Sequence, residues 1–123
     1  MISHLKIVAA LVLALAAPAA AEGPRVIDGD TIVHQGQTIR IMGLDAPEVH
    51  HRCPAEAVLA ERARLRLEEL LAGGFTVRAH GRDRYNRVLA EVFDARGMNV
   101  ASVLIQEGLA RRYNGRGPRE LWC

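Results

Sequence analysis

The sequence has one lysine, two cysteines, few aromatics and no apolar run long enough to cross a bilayer. Its longest apolar run, Ile7 to Ala17, falls short of the roughly 20 residues that a spanning helix needs. The run follows the basic Lys6 and precedes Pro18 and Ala19-Ala20-Ala21, the small-residue pattern of a cleavage site. This predicts a removed signal peptide over residues 1–21, with Glu22 as the first mature residue. A retained anchor or a buried helix is the competing reading. The lone lysine, Lys6, falls within that segment, so the remaining 15 of the 16 basic residues are arginines, set against 14 acidic residues. So even a balance gives no argument for nucleic-acid binding from bulk charge, and any affinity for phosphate must be local. Taking 21 residues from 123 leaves 102, enough for one hydrophobic core and not for two. Neither repeats nor linkers interrupt it.

Two cysteines, Cys53 and Cys123, remain in a chain predicted to be exported into an oxidising compartment. Pairing them is the simplest outcome; free thiols or intermolecular bridges are the alternatives. Their bridge would close a loop of about 70 residues, for which the chain-entropy account suggests roughly 4 kcal/mol before strain. Nothing beside Cys123 resembles a base that would activate a thiol nucleophile.

Arg25-Val26-Ile27, Thr31-Ile32-Val33 and Thr38-Ile39-Arg40-Ile41 read as strands, with Asp28-Gly29 as a turn and Gln35-Gly36 closing a hairpin. After Cys53-Pro54 the period changes. Val58, Leu59, Ala63, Leu67, Leu70 and Leu71 form one apolar helical face, Glu56 complements the dipole and Gly73-Gly74 stops the helix. Phe75–Ala79 and Val88–Phe93 return to the strand pattern. Val100, Val103 and Leu104 predict a second, shorter helix capped by Asn99, and Arg111–Cys123 carries little pattern. Short strands with a helix set among them predict a mainly β fold with α, a small closed or partly closed barrel. The pattern does not choose among barrels.

Chemistry concentrates in Ile27-Asp28-Gly29-Asp30-Thr31, Arg40 to Glu48, and Asp83-Arg84-Tyr85-Asn86-Arg87. If Gln35-Gly36 turns the hairpin, Asp30 at the start of one strand falls near Ile41 on its partner, and Asp45 lies just past that strand's end. Two carboxylates at one end of a hairpin, completed by carbonyls and waters, favour a hard cation such as Ca²⁺. Glu48, three residues on and held by the stiff Ala46-Pro47 step, takes the position of a general base. Arg40, on the same strand, and Arg87, from a later one, supply guanidinium groups that bind phosphate in a two-pronged geometry. Singly, each stretch has a bland account: an Asp-Gly turn, a solvated strand arginine, a proline strand exit. Together their order meets one chemical requirement.

On these residues the chain resembles the thermonuclease family, the staphylococcal-nuclease-like domains, from Arg25 to about Tyr113. The resemblance implies a five-stranded OB-fold barrel with one long and one short helix. It also implies Ca²⁺-dependent cleavage of DNA and RNA, single-stranded or frayed, to 3′-phosphate ends. Asp30 and Asp45 match the calcium-binding carboxylates, Ala46 a backbone-carbonyl ligand, Glu48 the general base, and Arg40 and Arg87 the phosphate-binding arginines. Arg84 and Tyr85 match positions lining the nucleotide pocket. Ala46 replaces a threonine of the best-known members, and Asn86 replaces a glycine, tolerable where the backbone is left-handed. The loop after Glu48 is shorter, and a C-terminal helix of the larger members is missing. A Cys53–Cys123 bridge is expected to hold the short tail against the barrel in its place.

His50-His51-Arg52-Cys53 also allows a zinc reading, set against a solvated loop beside the site. His80, Tyr85 and Tyr113 are candidates for stacking on bases or for the barrel surface. Two rivals to a secreted or periplasmic monomeric nuclease remain. One is a non-catalytic OB-fold module that binds single-stranded nucleic acid or an oligosaccharide. The other is an exported domain in which the acidic cluster binds calcium only for stability.

Overall fold

The computed structural model describes residues 23–123, and the predicted signal peptide lies outside the described residues. Alternating side chains build the first three strands, β1 (Arg25–Asp28), β2 (Thr31–His34) and β3 (Gln37–Ile41), into an antiparallel meander. Val26, Ile32, Ile39 and Ile41 are buried because successive residues of a strand face opposite sides. Gln35 and Gly36 both take positive φ, 50° and 74°, as the mirror-image two-residue hairpin turn requires. The predicted hairpin is therefore present, with Thr31 opposite Arg40. Asp30 lies in the turn just before β2, and its carbonyl accepts the Ile41 N–H at 2.8 Å.

Beyond β3 the chain forms β4 (Leu44–Asp45), α1 (Pro54–Ala72), β5 (Phe75–Arg82), β6 (Val88–Asp94), α2 (Val100–Gln106) and β7 (Arg111–Arg112). The main sheet has the order β1-β2-β3-β6-β5, with β6 parallel to β3 and antiparallel to β5. Its edges are β1 and β5, and no pairing between them closes a ring among the described residues. The mainly β architecture with one long and one short helix is as expected, in a sheet whose pairings leave it open. The tail, read as patternless, contributes β7, which pairs with β4 and sets Asp45 opposite Arg111. A two-residue strand is too short to leave a period in sequence.

Helix α1 starts at Pro54, where a missing N–H is harmless. It buries Ala60, Ala63, Leu67, Leu70 and Leu71, and its nearest neighbours are β1 and α2. Val58, assigned to that face from sequence, is 61% exposed. At 100° per residue the buried set points away from it, and Ala60 takes the inward place. In α2 the Asn99 side chain accepts N–H groups from Ala101 at 2.9 Å and Ser102 at 3.4 Å, the predicted cap. Ile32, Ile41, Leu44, Leu67, Val92, Val100 and Leu104 fill the core between the sheet and the two helices.

Candidate functional site

The hairpin end carries Asp30 where β1 turns into β2, and Arg40 lies beside it on β3. The Asp30 carboxylate is buried, and each oxygen accepts one hydrogen bond: Oδ1 from the Thr31 hydroxyl at 2.8 Å and Oδ2 from the Ala46 N–H at 2.9 Å. The latter bond ties the hairpin to the segment after β4. Arg40 donates Nη1 to the Ile41 carbonyl (2.7 Å) and Nη2 to the Leu44 carbonyl (3.0 Å), and Nη2 lies 3.6 Å from Asp30 Oδ2. Its guanidinium is therefore held across the exit of β3, beside the first carboxylate.

Asp45, on β4, is buried as well. Burial pushes its carboxyl above the usual range, and the Asp30 charge adds to this while Arg119 opposes it. Asp28 is raised for the same first reason, although it accepts the Val49 N–H at 2.8 Å. Glu48 follows on a loop gripped from α1. The buried Glu56 accepts the Arg52 N–H at 2.7 Å and, at 3.5 Å, the Glu48 N–H. A carboxylate in the first helical turn thus serves the dipole and also fixes the loop that presents Glu48. The Glu48 side chain remains 39% exposed.

From the β5–β6 turn come Arg84, Tyr85 and Arg87. Asn86 holds φ 64° there, the left-handed backbone expected where a glycine is replaced. Arg87 donates Nε to Asp83 Oδ2 at 2.7 Å, and the guanidinium groups of Arg84 and Arg87 lie 4.8 and 5.3 Å from the Tyr85 ring centroid. Arg87 is thereby positioned by its own turn and not by the acidic cluster. Several N–H donors of the guanidinium remain for a ligand. Asp30, Arg40, Glu48, Tyr85, Arg87 and Tyr113 line one open groove of about 1260 Å³, with Arg84 on the same wall. Asp45 and Ala46 line a smaller recess of about 40 Å³ that shares Glu48 and Arg119 with that groove. His80 is not among the groove residues; it projects from β5, with Nε2 3.7 Å from Glu91.

Cys53 is bonded to Cys123, with Cα atoms 6.0 Å apart. The zinc reading of His50, His51 and Cys53 is overturned, because a disulfide sulfur is not a thiolate ligand. The bridge brings the tail to the N-terminus of α1, and with it a residue that sequence reasoning passed over. Arg119 donates Nη1 to Asp45 Oδ1 at 3.1 Å and Nη2 to Glu48 Oε1 at 2.8 Å. It sits in a Gly- and Arg-rich stretch without period, and the one available signal was its closeness to a cysteine whose partner adjoins the Glu48 loop.

No three His, Cys, Asp or Glu side chains gather as a metal-holding group among the described residues. What the site offers is the pair Asp30 and Asp45, linked through Ala46, the neighbour of Asp45, whose N–H donates to Asp30 Oδ2 at 2.9 Å. Two buried carboxylates, without thiolate or imidazole beside them, are a donor set that would suit a hard cation keeping part of its hydration.

The sequence profile of the family described as Staphylococcal nuclease homologue matches residues 38–120. The chain is 34% identical over 97 residues to the Succinoglycan biosynthesis protein ExoI of Rhizobium meliloti (strain 1021), covering 69% of this chain and 48% of that protein. It is 34% identical over 94 residues to an uncharacterized endonuclease of Escherichia coli, covering 72% of this chain and 58% of the other. With Endonuclease YhcR of Bacillus subtilis (strain 168) it shares 33% identity over 117 residues, 79% of this chain and 10% of that one. The chain thus spans about half the length of the first two relatives and a small part of the third.

Proposed function

Because the chain belongs to the staphylococcal nuclease homologue family, we propose that it is an exported, calcium-dependent nuclease. It hydrolyses phosphodiester bonds of single-stranded or frayed DNA and RNA and leaves 3′-phosphate ends. The observation that carries this reading is the convergence of Asp30, Arg40, Glu48 and Arg87 on one groove. Export is supported by the Cys53–Cys123 disulfide, a bond that persists in oxidising compartments.

Glu48 stands at the junction of groove and recess, where its carboxylate accepts the proton of the attacking water. Arg40 and Arg87 bind the non-bridging oxygens of the phosphate and stabilise the charge that builds on them. Arg40 is suited to this because two backbone carbonyls hold its guanidinium in place, so little reorganisation is needed as charge develops. Arg84, Tyr85 and Tyr113 hold the nucleotide, the tyrosines by stacking. Asp30, Asp45 and the Ala46 carbonyl would hold Ca²⁺, which supplies positive charge to the phosphate. The protein acts as a monomer.

The test is incubation of the purified protein with single-stranded DNA and RNA, with Ca²⁺ or with chelator. Cleavage is expected with Ca²⁺ alone, and Glu48→Ala is expected to lower its rate at least about 100-fold. Binding without cleavage would instead identify a non-catalytic module. Absence of any interaction would leave a calcium-stabilised structural domain.

A further inference from the structure

Arg119 answers to none of the roles assigned above, yet it makes the closest side-chain contacts to two of the proposed functional carboxylates. One guanidinium spans them, 3.1 Å from Asp45 Oδ1 and 2.8 Å from Glu48 Oε1. We propose that Arg119 and a divalent cation are mutually exclusive partners of Asp45, so that the C-terminal segment acts as an inhibitory latch on the acidic site. This inference rests on the reading of Asp45 as a cation ligand.

Three observations support it. First, Asp45 Oδ1 points to Arg119, and a cation drawing on that carboxylate would meet a like charge within a few ångströms, a repulsion that partial burial strengthens. Second, Arg119 takes one oxygen of Glu48 at the same time, so the engaged latch also occupies the residue that would receive the proton from water. Third, the segment is anchored on both sides of Arg119. Before it, the Tyr113 hydroxyl donates to the Gly117 carbonyl at 2.7 Å. After it, Arg111 donates to the Leu121 carbonyl at 2.9 Å and its guanidinium stacks 3.8 Å from the Trp122 ring centroid, ahead of the Cys53–Cys123 bond. Tethering of this kind makes the arginine an intramolecular competitor at high effective concentration. Release requires only that the side chain, 43% exposed, swing away from a fixed backbone.

Calorimetric titration with Ca²⁺ alone, on the disulfide-bonded protein, tests the latch. Arg119→Gln is expected to bind Ca²⁺ about tenfold more tightly than the wild type. Arg112→Gln removes the same charge from the groove wall without contact to either carboxylate and is expected to change the affinity less than threefold. Equal affinity in Arg119→Gln and wild type overturns the latch, and so does an equal gain in both arginine variants, which would mark a diffuse charge effect. Asp45→Asn is expected to lose most of the calcium affinity. If it binds as the wild type does, the cation reading of Asp45 fails and the latch with it, whereas loss in Asp45→Asn without gain in Arg119→Gln removes the latch alone.

Discussion

A methyl group at Gly29 would approach the Cβ of Ala63 to 2.9 Å and that of Ala46 to 3.0 Å. Three elements meet at this point: the turn that carries Asp30, the segment after Asp45, and α1. The absent side chain lets the hairpin end lie flat against the helix, and that contact keeps Asp30 Oδ2 within hydrogen-bond reach of the Ala46 N–H. Gly29→Ala is expected to lower the unfolding free energy by about 1–3 kcal/mol, since neither neighbour is a flexible side-chain end that can move aside. Urea denaturation measures this, and an unchanged midpoint at constant slope would contradict it. Asp28-Gly29 reads in sequence as a turn, which it adjoins. That the glycine is required by close approach to a helix some 34 positions later in the chain, Ala63, cannot be read from a dipeptide.

At the scale of elements, the connection between β6 and α2 is organised by one carboxylate. Asp94 accepts the N–H groups of Arg96 and Met98, both at 2.9 Å, and pairs with the Arg96 guanidinium at 3.3 Å. These hydrogen bonds, led by that from Met98, hold its carboxyl below the ordinary range. A group whose pKa is depressed by folding contributes stability that is present above the unfolded value of about 3.8 and is lost as the pH falls through the lower folded value. Asp94→Asn is therefore expected to have a lower thermal midpoint than the wild type at pH 7, with the gap closing below about pH 4. A gap independent of pH would show that the turn does not draw on the charge of Asp94. The same carboxylate logic works from α1, where Glu56 fixes the loop that presents Glu48. Sequence assigns Glu56 to the helix dipole and is silent on the loop, because its hydrogen bonds run back across the helix start to residues outside any periodic pattern.

Across the whole molecule, a small domain is closed by one covalent bond between the start of α1 and the end of the tail. Cys123→Ser is expected to lower the thermal midpoint by roughly 10 °C, from typical disulfide contributions and the size of the domain. A midpoint unchanged in differential scanning calorimetry would mean that the tail packs as well without the bridge. Much of this architecture was legible in sequence. Periodicity and turn chemistry located the hairpin, both helices and the cap at Asn99, because these depend on neighbours one to four residues apart. The approach of Arg40 to Asp30 was legible for a related reason, since the hairpin register sets Thr31 opposite Arg40 and so converts spacing along the chain into proximity. The open pairing of the sheet, the outward position of Val58 on α1 and the reach of Arg119 to the two carboxylates were not legible. Each depends on contacts between segments far apart in sequence. The amino-acid order by itself determined the local elements and the chemical inventory of the site. Only the tertiary structure decided that Arg119 reaches Asp45 and Glu48, 74 and 71 residues away, because a disulfide and a two-residue strand, neither of which leaves a period, bring the tail back to the site.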